Sequence, residues 1–256
     1  MRGCRLPPIG WMPGAFMRGR VLVLLALAAA VFAAFALWPG LDLWVSGLFY
    51  NSAGGFDRFA SGGWNLIRLA IWRASEMVLA LSILALLAGE VLPALRASRS
   101  LWLYITLLYL TGPGLLVDVL LKPLWGRARP AEVQEFGGTL AFTPPHLPSG
   151  QCSSNCSFVA GEVSGAVALA VALALLLSRP NLTPLAHRAA IALITLLPLY
   201  TGFQRIAAGR HFLSDVLLSA IFTLLCAVLL MALIRPKTGG GGAVDNPPDS
   251  PYTART

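Results

Sequence analysis

The chain has 256 residues, of which 57% are hydrophobic and only 12% charged, with a formal net charge of +8 and a mean hydropathy of +0.72. Soluble domains carry roughly a quarter charged residues, so the composition excludes an ordinary soluble domain and reads as integral membrane. Excess positive charge in a soluble protein would point to nucleic acid, but here the basic residues follow the ends of apolar runs, and no nucleic-acid partner is expected.

In chain order, a basic N-terminal segment over 1–19 is expected in the cytoplasm, followed by apolar runs near 20–38, 76–95, 101–121, 158–178, 188–202 and 212–234. Runs of about 20 residues suit a bilayer-spanning helix. The fold class expected is therefore all-α, a polytopic bundle of six transmembrane helices forming one domain over 20–236. The first run also has the make-up of a signal peptide, with Arg18 and Arg20 before it and the small residues Ala34 and Ala36 near its end. Residues 39–75 hold Trp44, Phe49, Tyr50, Phe56, Phe59, Trp64 and Trp72, an interfacial composition. Its stretch "WNLIRLAIWR" reads as partly lying flat on the membrane surface. The polar, Gly- and Pro-rich end over 237–256 reads as a disordered cytoplasmic tail.

With both termini in the cytoplasm, the inner loops receive Arg96, Arg99, Arg179 and Arg188, in keeping with the positive-inside rule. The outer side nevertheless receives three cations within eight residues, Lys122, Arg127 and Arg129 of "KPLWGRARP". These open the longest interior connection, 122–157. Connections of that length are usually functional or disordered, and the charge favours function. Cys152 and Cys156 lie in the same loop as "CSSNC"; a disulfide is open to them in an oxidising compartment. Two thiols with His146 do not make a zinc spacing, so neither metal nor cofactor is expected.

Three clusters face outward in this topology. Lys122 is followed after six residues by Arg129 and Pro130. Gly161 and Glu162 stand where the fourth run begins. Arg205 is followed by His211 and then Asp215 at the start of the sixth run. His211 and Asp215, four apart, would share a helix face, and a carboxylate on one ring nitrogen raises basicity at the other, which makes a usable nucleophile. Arginine forks and a lysine match phosphoryl oxygens, and a helix N-terminus adds amide donors. Each residue alone could be an interfacial anchor, and Asp118 could simply pair with Lys122 as a helix salt bridge. Asp215 is the harder to dismiss, because an ionisable group inside a span is costly.

These residues resemble the type 2 phosphatidic acid phosphatase (PAP2) superfamily, whose pattern is Lys-x6-Arg-Pro, then Pro-Ser-Gly-His, then Ser-Arg-x5-His-x3-Asp. The first element matches at Lys122, Arg129 and Pro130; the third matches at Arg205, His211 and Asp215, with Gln204 in the serine's place. For the middle element there are two candidates, "PSGQ" at 148–151 and "VAGE" at 159–162. The second directly precedes an apolar run, so Ala160 replaces the family's serine and Glu162 its histidine. A protonated carboxyl can supply a leaving oxygen with its proton; His146 is the loop alternative.

The resemblance implies a metal-independent lipid phosphatase with no cofactor. His211 would be the nucleophile forming a phosphohistidine, Asp215 its orienting residue and Glu162 the general acid. Lys122, Arg129, Arg205 and the Gly161 amide would hold the phosphate, with Arg127 and Arg210 as neighbours able to touch a second substrate charge. Within the superfamily, "SFVAGE" and its surroundings resemble the bacterial lipid A phosphatases. Lipid A, at its 4′- or 1-phosphate, presented at the outer leaflet of the inner membrane and attacked from the periplasmic side, is the expected substrate. Undecaprenyl-diphosphate or phosphatidylglycerophosphate hydrolysis, and lipid or anion binding without turnover, are the alternatives.

Overall fold

The structure is a computed structural model that describes residues 14–178 and 183–236. The expected tail over 237–256, and most of the expected N-terminal segment 1–19, lie outside the described residues. Among the described residues the fold is all-helical; the two backbone bridges, Asn51 with Gly55 and Val133 with Leu140, are isolated and extend into no strand.

Six longer helices and one short one organise the chain. They are α1 (Gly14–Leu37), α2 (Gly40–Gly47), α3 (Gly62–Ala88), α4 (Arg99–Tyr109, continuing with wider turns over Leu110–Leu121), α5 (Gly161–Leu177), α6 (Pro184–Ala207) and α7 (Leu213–Ile234). The widening in α4 coincides with Pro113, which has no N–H to give to the preceding turn. Five segments are long and apolar enough to cross a membrane: Met17–Leu37, Gly62–Ala88, Arg99–Glu132, Pro184–Ala207 and Leu213–Ile234. The fourth expected span is the shorter helix α5.

The largest departure from the sequence reading is α3. It begins at Gly62 and ends at Ala88, whereas the run was expected over 76–95. "WNLIRLAIWR" is therefore part of this long helix and does not lie flat. The physical reason is Arg68: its charge meets Glu162 of α5, so it does not force the segment into the interface. Beyond Ala88 the chain turns at Gly89 and Glu90 and re-enters a short helical turn, Pro93–Arg96.

Helix α5 is the centre of the bundle. Its sequence is almost entirely Gly, Ala, Val and Leu, and eleven of its seventeen residues are buried; small side chains let neighbouring backbones approach. Around it, Leu101, Tyr104, Ile105 and Leu108 of α4 pack on Ala168, Ala172 and Leu175 and on Ala227 of α7. Polar side chains cross the same interfaces in satisfied pairs. Ser164 Oγ lies 2.7 Å from Thr223 Oγ1, Ser75 donates to the Gly165 carbonyl at 3.1 Å, and Tyr104 donates to the Ala227 carbonyl at 2.9 Å. Such bonds tie helices together where apolar packing alone is nonspecific.

The site is positioned by alternation of direction. Helices α1, α4 and α6 finish at the end of the bundle where α3, α5 and α7 begin. The loop between α4 and α5 folds back over this end: Ser149 N donates to the Trp125 carbonyl at 2.7 Å, Cys152 N to Gly126 at 2.9 Å, and Ser157 N to Arg127 at 2.8 Å. Gly126 makes this possible, since its φ of +54° suits a residue without Cβ and an added Cβ would come within 2.1 Å of the Ser149 carbonyl. Cys152 and Cys156 are joined in a disulfide with a Cα–Cα separation of 5.6 Å, resolving the choice left open by the sequence.

Candidate active site

A cavity of about 760 Å³ opens at this end of the bundle, and Lys122, Arg129, Gly161, Glu162, Arg205 and His211 all line it. Six of the seven residues singled out in the sequence therefore converge, although they come from three separate stretches. Arg68, Arg73, Arg210 and Asp118 complete its charged wall. Six cations against two carboxylates make its lining net positive, a field that attracts anions.

Each side chain is held by the element that carries it. Lys122, the residue after α4, gives its Nζ to Asp118 Oδ1 at 2.6 Å, and a Cβ added to Gly161 would lie 3.0 Å from that same Nζ. The glycine at the start of α5 thus lets the lysine approach the helix N-terminus. Arg129 is mostly buried and donates Nη2 to the Asn155 carbonyl, so the disulfide-closed turn braces it. Arg205, at the end of α6, gives Nη1 to Gln204 Oε1 at 3.2 Å. Gln204 is anchored in turn to the Phe59 carbonyl at 2.8 Å, so the residue replacing the family's serine orients the arginine. Arg205 Nε is buried without a hydrogen-bond partner, 3.7 Å from Glu162 Oε1. A buried guanidinium donor left without a hydrogen bond is costly; its nearest anionic group is the Glu162 carboxylate.

Glu162 is gripped by a residue that sequence reasoning missed. Arg68 Nη1 reaches Glu162 Oε1 at 2.9 Å and Oε2 at 3.0 Å, while its Nε is steadied by Asn65 Oδ1 at 2.8 Å. Arg68, Glu162, Arg205 and Arg210 also line an adjoining cavity of about 270 Å³. The signal was present in the sequence as a charge inside an otherwise apolar helical pattern, but it was read as interfacial. Of the alternatives for the middle element, neither Gln151 nor His146 lines the cavity. Gln151 Oε1 instead accepts from Ala141 N at 3.2 Å, and His146 is exposed.

His211 differs from expectation in its partner. Helix α7 begins at Leu213, so His211 precedes the helix and does not share a face with Asp215. Its Nδ1 lies 2.7 Å from the Ser157 carbonyl oxygen. A carbonyl only accepts, so Nδ1 carries the proton and Nε2 keeps the lone pair. Burial, first, and then the charges of Arg205, Arg129 and Lys122 push the imidazole well below its ordinary value of 6.5, while the bond to Ser157 works in the opposite direction. Near neutral pH the ring is uncharged.

Asp215 is wholly buried and lies outside the cavity wall. Its Oδ2 accepts from Ser157 Oγ at 2.6 Å and from Phe212 N at 3.0 Å, capping α7, and its Oδ1 accepts from Arg127 Nη1 at 2.6 Å. It reaches His211 through Ser157. Arg127, expected as a neighbour of the substrate, is likewise fully buried and is withheld from any ligand by its partners. Among the described residues no group of three or more His, Cys, Asp or Glu gathers to hold a metal.

The chain is similar to known proteins over most of its length. The PAP2 superfamily model matches residues 100–238. A lipid A 4′-phosphatase of Rhizobium leguminosarum is 35% identical over 225 residues, 81% of this chain and 93% of that protein. One of Francisella tularensis subsp. novicida is 32% identical over 229 residues, 85% and 98% of the two chains. One of Rhizobium etli is 35% identical over 236 residues, 86% and 89%. No solved structure matches the chain. With the family's pattern covering more than half of its length and placed around one cavity, this chain belongs to the PAP2 superfamily.

Proposed function

We propose that the protein is a phosphoric monoester hydrolase that removes phosphate from a membrane lipid, the 4′-phosphate of lipid A, through a phosphohistidine on His211. The observation that carries the reading is the cavity itself: His211, its Nδ1 held by the Ser157 carbonyl, stands there among Lys122, Arg129 and Arg205. The lipid comes from the relatives, which are lipid A 4′-phosphatases over most of both chains.

In the reaction, the Nε2 lone pair of His211 forms a bond to phosphorus as the bond from phosphorus to the lipid oxygen breaks. The three cations and the amides at the start of α5 stabilise the charge spread over the phosphoryl oxygens. The departing lipid oxygen takes a proton from Glu162. Water then attacks phosphorus, its proton passes to Glu162, and the N–P bond breaks to return the lone pair to Nε2. The wall of cations attracts a phosphate dianion and repels a free divalent cation, which supports a metal-independent route.

A second role for Glu162 follows from its contact with Arg68, as an anchor that sets both Arg68 and Arg205. Leaving-group dependence separates the two. As an acid, Glu162→Gln loses about 10²–10⁴-fold on an alkyl phosphate and little on an aryl phosphate whose leaving group needs no proton. As an anchor, it loses equally on both.

The start of α1 and the end of α7 both lie at the opposite end of the bundle from the site, which suits six crossings. The basic residues near that opposite end, Arg18, Arg20, Arg96, Arg99, Arg188 and Arg235, favour its being cytoplasmic, with the active site periplasmic in a bacterial inner membrane. Helix α5 rises only about 25 Å, short for a hydrocarbon core of about 30 Å, but its neighbours enclose it and it need not match the lipid. The test of function is phosphate release by the purified protein in detergent with EDTA. The substrates are lipid A, phosphatidic acid, phosphatidylglycerophosphate and undecaprenyl diphosphate. Release from lipid A that vanishes in His211→Ala is expected. Release from another lipid alone reassigns the substrate, loss of activity with EDTA overturns the metal-free route, and no release from any lipid favours binding without turnover.

A further inference from the structure

Behind His211 lies a buried charge cluster that no step above uses. Asp42 of α2 is fully buried; its Oδ1 accepts from Ser214 N at 2.9 Å, and its Oδ2 accepts from Arg127 Nη2 at 2.8 Å and from the Ser214 hydroxyl. Arg127 spends its remaining donors on Asp215 Oδ1, on Ser214 Oγ at 2.9 Å and on the Thr143 carbonyl at 2.7 Å. Its guanidinium lies 4.3 Å from the centre of the Phe212 ring. Asp42 precedes residue 100, where the superfamily match begins.

One guanidinium between two buried acids has one acid more than it can neutralise, and burial pushes the Asp42 carboxyl above its ordinary value, so the second acid is expensive to hold there. A scaffold needing only to neutralise Arg127 would be complete with Asp215. The second carboxylate sits where it completes the restraint on Ser157. That residue is held at its N–H by the Arg127 carbonyl, at 2.8 Å, and at its hydroxyl by Asp215, at 2.6 Å. Its own carbonyl faces His211 Nδ1. Asp42 fixes the guanidinium that fixes Asp215, so the peptide that selects the histidine tautomer cannot rotate.

We propose that Asp42, acting through Arg127, is a positioning residue for His211, holding the Ser157 carbonyl on Nδ1 so that Nε2 keeps its lone pair for the substrate. This rests on His211 being the nucleophile of the proposed reaction. The test reads the tautomer directly, independently of turnover. The chain has three histidines, so ¹⁵N-histidine-labelled full-length protein in bilayers gives few signals, and those of His211 are the ones lost in His211→Gln. The wild type is expected to show a protonated Nδ1 and a bare Nε2. Asp42→Asn is expected to mix the tautomers and to lower kcat about 10–100-fold, the size of effect seen when partners of a functional histidine are removed, with KM changed less than about twofold. Ser157→Ala, which cuts the Asp215 link and leaves Asp42, Arg127 and Asp215 themselves in place, is expected to mix the tautomers too, and it serves if Asp42→Asn does not fold.

A proton on Nε2 in the wild type overturns the proposal. So does an unchanged tautomer in folded Asp42→Asn or in Ser157→Ala, or a loss in Asp42→Asn confined to the folded fraction with kcat per folded molecule intact. If the wild type hydrolyses no lipid while both variants shift the tautomer, the proposed reaction fails and the positioning stands.

Discussion

Arg127 and Arg129 stand two residues apart in "GRARP", yet the fold puts them to opposite uses. Arg127 is completely buried and shares its guanidinium between Asp42 and Asp215. Arg129 lines the cavity, gives one hydrogen bond to a backbone carbonyl and forms no ion pair among the described residues. An arginine whose donors are all spent inside the protein is part of the frame; one whose charge is left over at a cavity is available to a ligand. Exposure alone would not separate them, since Arg129 is only 8% exposed. The partners decide.

The comparison breaks most readily at the frame. Arg127→Met leaves two buried carboxylates facing each other, and removing one partner of a buried pair costs about 3–5 kcal/mol. A large drop in the thermal unfolding temperature in detergent is expected, and an unchanged temperature would mean that the cluster is not load-carrying. Arg129→Ala is expected to fold normally and to lose about 10²–10³-fold in kcat/KM, the size of effect of removing one preorganised donor. A variant that unfolds instead would move Arg129 into the frame.

A smaller effect sharpens the difference through pH. His211 is held below 6.5 by burial and by Arg205, Arg129 and Lys122. The folded ring therefore takes up a proton only at a pH below that at which the unfolded ring does. Its contribution to stability is complete above about pH 6.5 and is lost as pH falls from there through the folded value. The acid limb of kcat/KM is expected below 6.5. Arg129→Lys keeps the positive charge and should leave that limb nearly in place, whereas Arg129→Ala should move it upward; a limb that stays put in Arg129→Ala would break the electrostatic link to His211. The smallest effect is expected from Cys152→Ser: a few-fold loss in kcat/KM, because the turn that loses its closure presents the Asn155 carbonyl to Arg129. No change would mean that the turn holds its shape without the disulfide.

The cavity-lining residues were legible because their spacing carries chemistry: Lys122 with Arg129, Arg205 with His211, and Glu162 at the head of an apolar run. Helix α7 was found within a residue, Leu213–Ile234 against 212–234, since no charge interrupts it beyond Asp215. Helix α3 was placed too late because Arg68 and Arg73 look alike in sequence. In the structure Arg73 pairs on the outside with Glu76, at 2.6 Å, while Arg68 turns inward to Glu162. Asp42 was passed over as one acid in an aromatic stretch, its partner 85 residues away. The role of Ser157 could not be read at all, because the group that holds His211 is a backbone carbonyl, which every residue possesses.

By itself, then, the sequence determined that the chain is helical and apolar enough for a membrane, and that its cations and one histidine follow a phosphate-handling pattern. Hydropathy and spacing are local properties and survive without a fold. The tertiary structure decided which of the neighbouring arginines faces the cavity, which carboxylate each one meets, and that Asp215 reaches His211 through Ser157. Those depend on groups brought together from distant segments, where burial makes every unpaired charge costly and so forces each one to a specific partner or leaves it open for a ligand.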